Sequence, residues 1–126
     1  MTENEICDII FECALKVHRT LGPGLLESVY EKCLAIELKA AGLKVVRQMR
    51  VPIVYNGVAL DEGYRIDLMV EDSVVVELKA ISEILEIHRA QLITYLRLTD
   101  KKLGVLINFN TVLLKNGFKR VINGYF

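Results

Sequence analysis

Residues 64–79 read YRIDLMVEDSVVVELK, two apolar runs separated by the polar residues 71–73. A three-residue turn at 71–73 would pair position 70 with 74, and therefore 68 with 76 and 66 with 78. This register collects six apolar side chains on one face, and a shift of one residue would scatter them. The members of that face are Ile66, Leu68, Val70, Val74, Val76 and Leu78. The pattern predicts a β-hairpin with one buried face.

The same register places Asp67 directly opposite Glu77, with Lys79 following on the same side of its strand as Glu77. Two carboxylates that close together destabilise a sheet unless a positive charge lies between them. Mg²⁺ or Mn²⁺ suits this position because hard divalent ions bind carboxylate oxygens, water and substrate phosphate. A neighbouring lysine would orient or deprotonate water, or stabilise charge on the phosphate. The alternative interpretation of Glu77 and Lys79 is a solvated pair on an exposed strand.

Apolar residues at helical spacing precede the hairpin, and β-branched residues at a spacing of two surround it. Gly22-Pro23-Gly24 separates the first two helices, and Asn56-Gly57 is a typical turn. Pro52 indicates an edge or a bulge. The predicted helices are Glu3 to Thr20, Leu25 to Ala41 and Ser82 to Leu98, the last with Ser82 as its N-cap. The predicted strands besides the hairpin are Val45 to Arg50, Val51 to Tyr55, Val58 to Leu60, Leu103 to Phe109 and Phe118 to Ile122. This order predicts an α/β fold in which helices sandwich a mixed β-sheet.

The third predicted helix carries His88, Gln91 and Tyr95 on one stripe beside its apolar face. The pattern indicates either ordinary amphipathicity or one wall of a polar cleft. Because this helix directly follows Glu77 and Lys79, the cleft is the interpretation that links the two features.

Length and composition limit the function classes. The 126 residues predict a single domain, residues 1–126, with 52% hydrophobic content. Sixteen basic and sixteen acidic residues cancel, so no overall field attracts nucleic acid or an anionic membrane. The basic residues near the C-terminus indicate either local nucleic-acid contact or protection of sheet edges. They are Lys101, Lys102, Lys115, Lys119 and Arg120.

The cysteines and the N-terminus predict a cytoplasmic protein without a membrane segment. Cys7, Cys13 and Cys33 lack metal-ligand spacing and lie in helical apolar patterns, so they are predicted to be reduced core thiols. No stretch is long and apolar enough to span a bilayer, and the acidic N-terminus is unlike a signal peptide.

Residues 24–30, GLLESVY, contain the motif G-x-x-E-x-x-Y at Gly24, Glu27 and Tyr30. With the preceding His18, this stretch resembles the GxxExxY protein family of the PD-(D/E)XK nuclease superfamily. The likeness extends over nearly the whole chain and implies a restriction-endonuclease-like core. One position departs from the superfamily pattern, because Ile66 stands where the name of the superfamily has proline.

The resemblance also implies roles for individual residues. Asp67 and Glu77-Leu78-Lys79 look like the catalytic aspartate and the E-x-K motif, with the Leu78 carbonyl as a further metal ligand. Gln91 and Tyr95 match a Q-x-x-x-Y motif of recombination exonucleases. Glu27 looks like the acidic residue that a preceding helix contributes, and His18 like a helix histidine of the metal shell. From the residues alone, Glu27 is equally explained by the helix dipole, and His18 by the dipole or by burial in the core.

These features predict a Mg²⁺- or Mn²⁺-dependent nuclease that hydrolyses phosphodiester bonds, with DNA as the expected nucleic acid. The alternative is a catalytically silent module on the same fold that binds nucleic acid or protein. A third interpretation is a structural subunit of a larger assembly. So small a domain is also expected to need a homodimer or a protein partner to grip its substrate.

Overall fold

The structure is a computed structural model that describes residues 1–124. In chain order its elements are α1 (Glu3–Leu21), α2 (Glu27–Ala40), β1 (Val45–Arg50), β2 (Ile53–Tyr55), β3 (Val58–Leu60), β4 (Arg65–Val70), β5 (Val74–Lys79), α3 (Glu86–Thr99), β6 (Leu103–Asn108), a short 3-10 helix (Leu114–Asn116) and β7 (Phe118–Ile122). Within residues 1–124, none of the helices combines the length and apolarity that crossing a bilayer requires.

Five strands form one mixed sheet in the order β1-β4-β5-β6-β7. β5 and β6 are parallel, and α3 connects them, whereas the other neighbours are antiparallel. β2 and β3 form a separate hairpin, with Asn56 and Gly57 at positive φ in its turn as the sequence predicted. Pro52 lies in the connection between β1 and β2, outside both strands.

Helices cover both faces of the sheet, which confirms the predicted sandwich. Residues of α1 and α2, such as Ile10 and Leu34, pack on one face in a first hydrophobic cluster. Residues of α3, such as Leu92 and Leu96, pack on the opposite face in a second cluster. The predicted thiols belong to the first cluster: Cys7 and Cys13 are buried, Cys33 is half-buried, and all three are free.

The β4–β5 hairpin has the predicted register near its turn, with Val70 opposite Val74 and Leu68 opposite Val76. The predicted pairing of 66 with 78 was wrong, because the ladder between these strands ends at Leu68 and Val76. Five members of the predicted apolar face lie in the first cluster, but the prediction was wrong for Ile66, which packs in the second cluster beside α3. The physical reason is a break in alternation at Gln48 and Asp67. The ladder between β1 and β4 passes over both residues, pairing Arg47 with Leu68 and then Met49 with Ile66. Gln48 has left-handed backbone geometry with φ 54°, and Met49 and Ile66 lie together on the other face.

The helices differ from the predictions mainly at their N-termini. α2 begins at Glu27, two residues later than predicted. The prediction of Ser82 as the N-cap of α3 was wrong, because α3 begins at Glu86 and the Leu85 N–H donates to His88 Nδ1 at 2.8 Å. The intervening segment is held instead by Asn108, whose side chain accepts from the Ile81 N–H at 3.1 Å and donates to its carbonyl at 2.9 Å.

Candidate active site

The centre of the site is the point where β4 and β5 separate. β4 continues along β1 to the pair Arg50–Arg65, while β5 continues along β6. In place of further ladder pairing, the Leu78 N–H donates to Asp67 Oδ2 at 2.8 Å, and the Asp67 N–H donates to Glu77 Oε1 at 3.2 Å. Each carboxylate therefore binds the backbone of the opposite strand, and the two acids flank the gap between the strands.

Burial and mutual repulsion disfavour the charged forms of these two acids. Burial raises the pKa of Asp67, and the negative charge of Glu31 raises it further. Burial and the charge of Asp67 together raise the pKa of Glu77 to about 8, although the Asp67 N–H and the nearby Lys79 act in the opposite direction. With a pKa of about 8, Glu77 holds a proton at neutral pH unless a cation compensates the negative charge.

Lys79 and Tyr95 lie within electrostatic range of this pair. Lys79 is half-buried at the end of β5, and its charge lowers the pKa of Glu77. Tyr95 is 8% exposed, and its pKa is raised by burial first and then by the charges of Glu77, Tyr64 and Asp67. Gln91 lies one turn earlier on α3, where its side chain is exposed. The structure thus brings Lys79 and Tyr95 to the two acids and leaves Gln91 on the adjoining surface.

The G-x-x-E-x-x-Y segment lies between α1 and α2 in the chain and contacts the residue that follows β5. The Tyr30 hydroxyl donates to the Gly22 carbonyl at 2.6 Å and accepts from the Leu25 N–H at 3.1 Å, and Gly24 has the positive φ of 99° that favours glycine. This clamped turn precedes Glu27, whose carboxylate accepts from the Ala80 N–H at 3.3 Å. Glu27 therefore lies directly beyond Lys79, and Tyr30 has a structural role in holding the turn.

His18 is buried and contacts the segment that follows β6. Its ring is 7% exposed, and Nε2 lies 2.8 Å from the Thr111 carbonyl oxygen in the segment after β6. Phe109, which stacks on Tyr30, packs nearby. Binding of a metal by His18 Nε2 would require the contact with Thr111 to break.

Two residues that the sequence analysis missed, Glu31 and Gln48, lie beside Asp67, and Arg47 holds Glu31 in place. Glu31 of α2 is 6% exposed and accepts from Arg47 Nη2 at 2.9 Å and from Gln48 Nε2 at 2.6 Å. Gln48 Nε2 also lies 3.4 Å from Asp67 Oδ1. The sequence carried one sign of this arrangement, since Glu31 falls one helical turn after Glu27. The left-handed geometry of Gln48 had no sign in its residue type.

Comparison with known families agrees with this geometry. A sequence-family model of the PD-(D/E)XK nuclease superfamily matches residues 4–121. The chain belongs to the PD-(D/E)XK nuclease superfamily. The match extends from α1 to β7 and so includes Asp67, Glu77 and Lys79. No curated protein and no solved structure matches the chain. The narrower GxxExxY assignment stays a prediction.

PD-(D/E)XK nucleases generally use divalent metals, so the donor set can be tested for fit. Asp67 and Glu77 supply hard carboxylate oxygens, and the repulsion between them is relieved by a cation. Within residues 1–124 no three side chains of His, Cys, Asp or Glu are grouped around one ion position, so Glu27 and His18 stand apart from the pair. The residues fit an ion that keeps several water or phosphate ligands, as Mg²⁺ and Mn²⁺ do.

Proposed function

We propose that this chain is a metal-dependent nuclease that hydrolyses phosphodiester bonds in DNA. The observation that carries the proposal is the placement of Asp67 and Glu77 across the gap between β4 and β5, with Lys79 at the end of β5. An acidic pair of this kind is unfavourable without a cation. Membership in the PD-(D/E)XK nuclease superfamily supports phosphodiester hydrolysis as the reaction that uses the cation.

Asp67 and Glu77 would hold Mg²⁺ or Mn²⁺, with the Leu78 carbonyl as a third protein ligand. When bound, the ion would activate water and neutralise charge on the phosphate. Glu27 would join through water, because it stands apart from the pair formed by Asp67 and Glu77. His18 would join through Nδ1, because Nε2 is bound to the Thr111 carbonyl.

The remaining residues act on the nucleophile and the phosphate. Lys79 orients or deprotonates the attacking water, or stabilises negative charge on the phosphate. Tyr95 keeps its proton at neutral pH, because burial and the nearby acids raise its pKa, so its hydroxyl donates a hydrogen bond. Gln91, exposed one turn earlier, contacts the nucleic-acid backbone.

A second candidate function is a module of the same fold that binds nucleic acid or protein without cleaving it. The balance of sixteen basic and sixteen acidic residues favours the protein-binding form of this module, because nucleic-acid binding gains affinity from positive charge whether or not cleavage follows. Binding that survives chelation and is unchanged by Asp67→Ala would support this module.

The test is a calorimetric titration of Mn²⁺ into the wild-type protein, into Asp67→Ala/Glu77→Ala, and into the control Glu37→Gln. Glu37 is a helix glutamate paired with Lys16 at 3.2 Å, away from the site. We expect binding by the wild type and the control and none by the double variant. A cleavage screen with single- and double-stranded DNA and RNA follows, with an EDTA control. Metal-dependent cleavage that Asp67→Ala leaves intact would exclude this site, and absence of Mn²⁺ binding by the wild type, even with an oligonucleotide present, would favour the binding module.

A further inference from the structure

Gln48 joins a buried glutamate to the candidate metal site. Its Nε2 lies 2.6 Å from Glu31 Oε1 and 3.4 Å from Asp67 Oδ1. We propose that Gln48, anchored by Glu31, is a positioning residue that fixes the orientation of the Asp67 carboxylate. This inference rests on the proposed metal-binding role of Asp67.

Glu31 provides a rigid anchor for the amide. Its carboxylate is 6% exposed and receives two hydrogen bonds from Arg47, from Nε at 3.1 Å and from Nη2 at 2.9 Å. A buried carboxylate is retained only when it is paired and hydrogen-bonded, and both Arg47 donors bind the same oxygen, Oε2, which leaves Oε1 for Gln48. Glu31 Oε1 is therefore presented to Gln48 in one orientation.

The backbone of Gln48 is distorted in a way that serves this contact. Arg47 pairs with Leu68 and Met49 with Ile66, so Gln48 lies opposite Asp67 in the middle of β1. Consecutive residues of a regular strand point to opposite faces, yet both Arg47 and Gln48 reach Glu31. The left-handed φ of 54° at Gln48 makes this possible. A non-glycine residue held in this region is unfavourable, and such strain concentrates at functional sites.

Both carboxylate oxygens of Asp67 therefore have a hydrogen-bond donor. Oδ2 accepts from the Leu78 N–H at 2.8 Å, and Oδ1 faces the Gln48 amide. With both oxygens engaged, rotation of the carboxylate is restricted, and the lone pairs left for a cation keep fixed directions. Partners that orient a metal ligand typically change metal affinity about 10- to 100-fold when they are removed.

Two substitutions of Gln48 distinguish the effect of losing the amide from the effect of the strained backbone. Gln48→Met keeps an unbranched side chain and the net charge but removes the amide. Gln48→Gly also removes the amide, and glycine suits the left-handed backbone, so this variant should fold even if Gln48→Met does not. We expect Mn²⁺ affinity, measured by calorimetry, to fall about ten-fold in both variants, and to be unchanged in the control Glu37→Gln. Thermal melting without metal accompanies each titration.

A purely structural role for Gln48 predicts the opposite pattern, in which melting temperature falls and Mn²⁺ affinity stays at the wild-type value in any variant that folds. That result would overturn the inference and leave the metal site standing. A further check is Glu31→Gln, which should weaken Mn²⁺ binding less in the Gln48→Met background than in the wild type, because both act through the same contact. If the wild type binds no Mn²⁺, the proposed function fails and this inference fails with it.

Discussion

The two halves of the β4–β5 hairpin contrast in chemistry although they belong to the same pair of strands. Near the turn, Leu68 and Val70 pair with Val76 and Val74 through the backbone and are fully buried in the first cluster. At the other end, Asp67 and Glu77 use their carboxylates to bind the backbone of the opposite strand. The first half stabilises the fold, whereas the second half places two acids where their charged forms are unfavourable.

The buried apolar end of the hairpin stabilises the fold enough to tolerate the unfavourable acidic end. Burial of the apolar side chains is favourable in any solvent condition in which the protein folds. The acidic end is favourable only when protons or a cation balance its charge. Substitutions in the two halves should therefore change stability in opposite directions.

The largest effect is expected in the apolar half. Leu68→Ala removes a side chain with no solvent exposure, so we expect the free energy of unfolding to fall by about 3 kcal/mol, measured by urea denaturation. Because Leu68 adjoins Asp67 in the chain, Mn²⁺ affinity serves as a second measurement on the folded variant. A loss below about 1 kcal/mol would show that this half does not carry the stability assigned to it.

In the acidic half, a substitution should raise the free energy of unfolding instead of lowering it. Glu77 has a folded pKa of about 8 against 4.5 for an ordinary glutamate, so the folded state binds the extra proton between these values. The stability of the metal-free protein should therefore fall as pH rises from about 5 to about 8. Glu77→Gln should remove this dependence and raise the free energy of unfolding at pH 8 by on the order of 2 kcal/mol.

Denaturation in EDTA at several pH values, with Glu37→Gln as the control, measures this effect. A variant that is less stable than the wild type at pH 8 would contradict the assignment of unfavourable charge to Glu77.

The smallest effect is expected at the turn. The Ser73 hydroxyl donates to the Glu71 carbonyl at 2.9 Å. Ser73→Ala should lower the free energy of unfolding by about 0.5–1 kcal/mol, the usual net value of one hydrogen bond. Mn²⁺ affinity should not change, because the turn lies at the far end of the hairpin from Asp67. A change in Mn²⁺ affinity as large as that from Gln48→Met would erase the distinction between the two halves.

The register of this hairpin was predictable because it depends on a local pattern. Alternating apolar residues on both sides of a short turn define one pairing, and that pairing brings Asp67 and Glu77 together. The helices followed from spacing in the same way. Their first residues were less predictable, because Asn108 holds the chain at Ile81 and delays the start of α3.

Glu31 and Gln48 could not be identified from the sequence because their roles depend on distant packing. Glu31 reaches the site only when α2 packs beside β1, and periodicity does not give that placement. Gln48 lies in a strand whose sequence is typical of regular pairing, and neither its left-handed backbone nor its contacts with Glu31 and Asp67 have a local signal in the sequence. The flip of Ile66 to the second cluster accompanies the same distortion.

The separation of the site residues along the chain has a consequence for the order of folding. Asp67 and Glu77 are ten residues apart in one hairpin, so closing the loop between them has a small entropic cost. The parallel contact between β5 and β6 requires the whole crossover through α3, and such non-local contacts form slowly. The two acids are thus expected to meet early on the folding pathway, before Tyr95 arrives on α3. A cation present in the refolding buffer would accordingly accelerate folding as well as stabilise the folded protein.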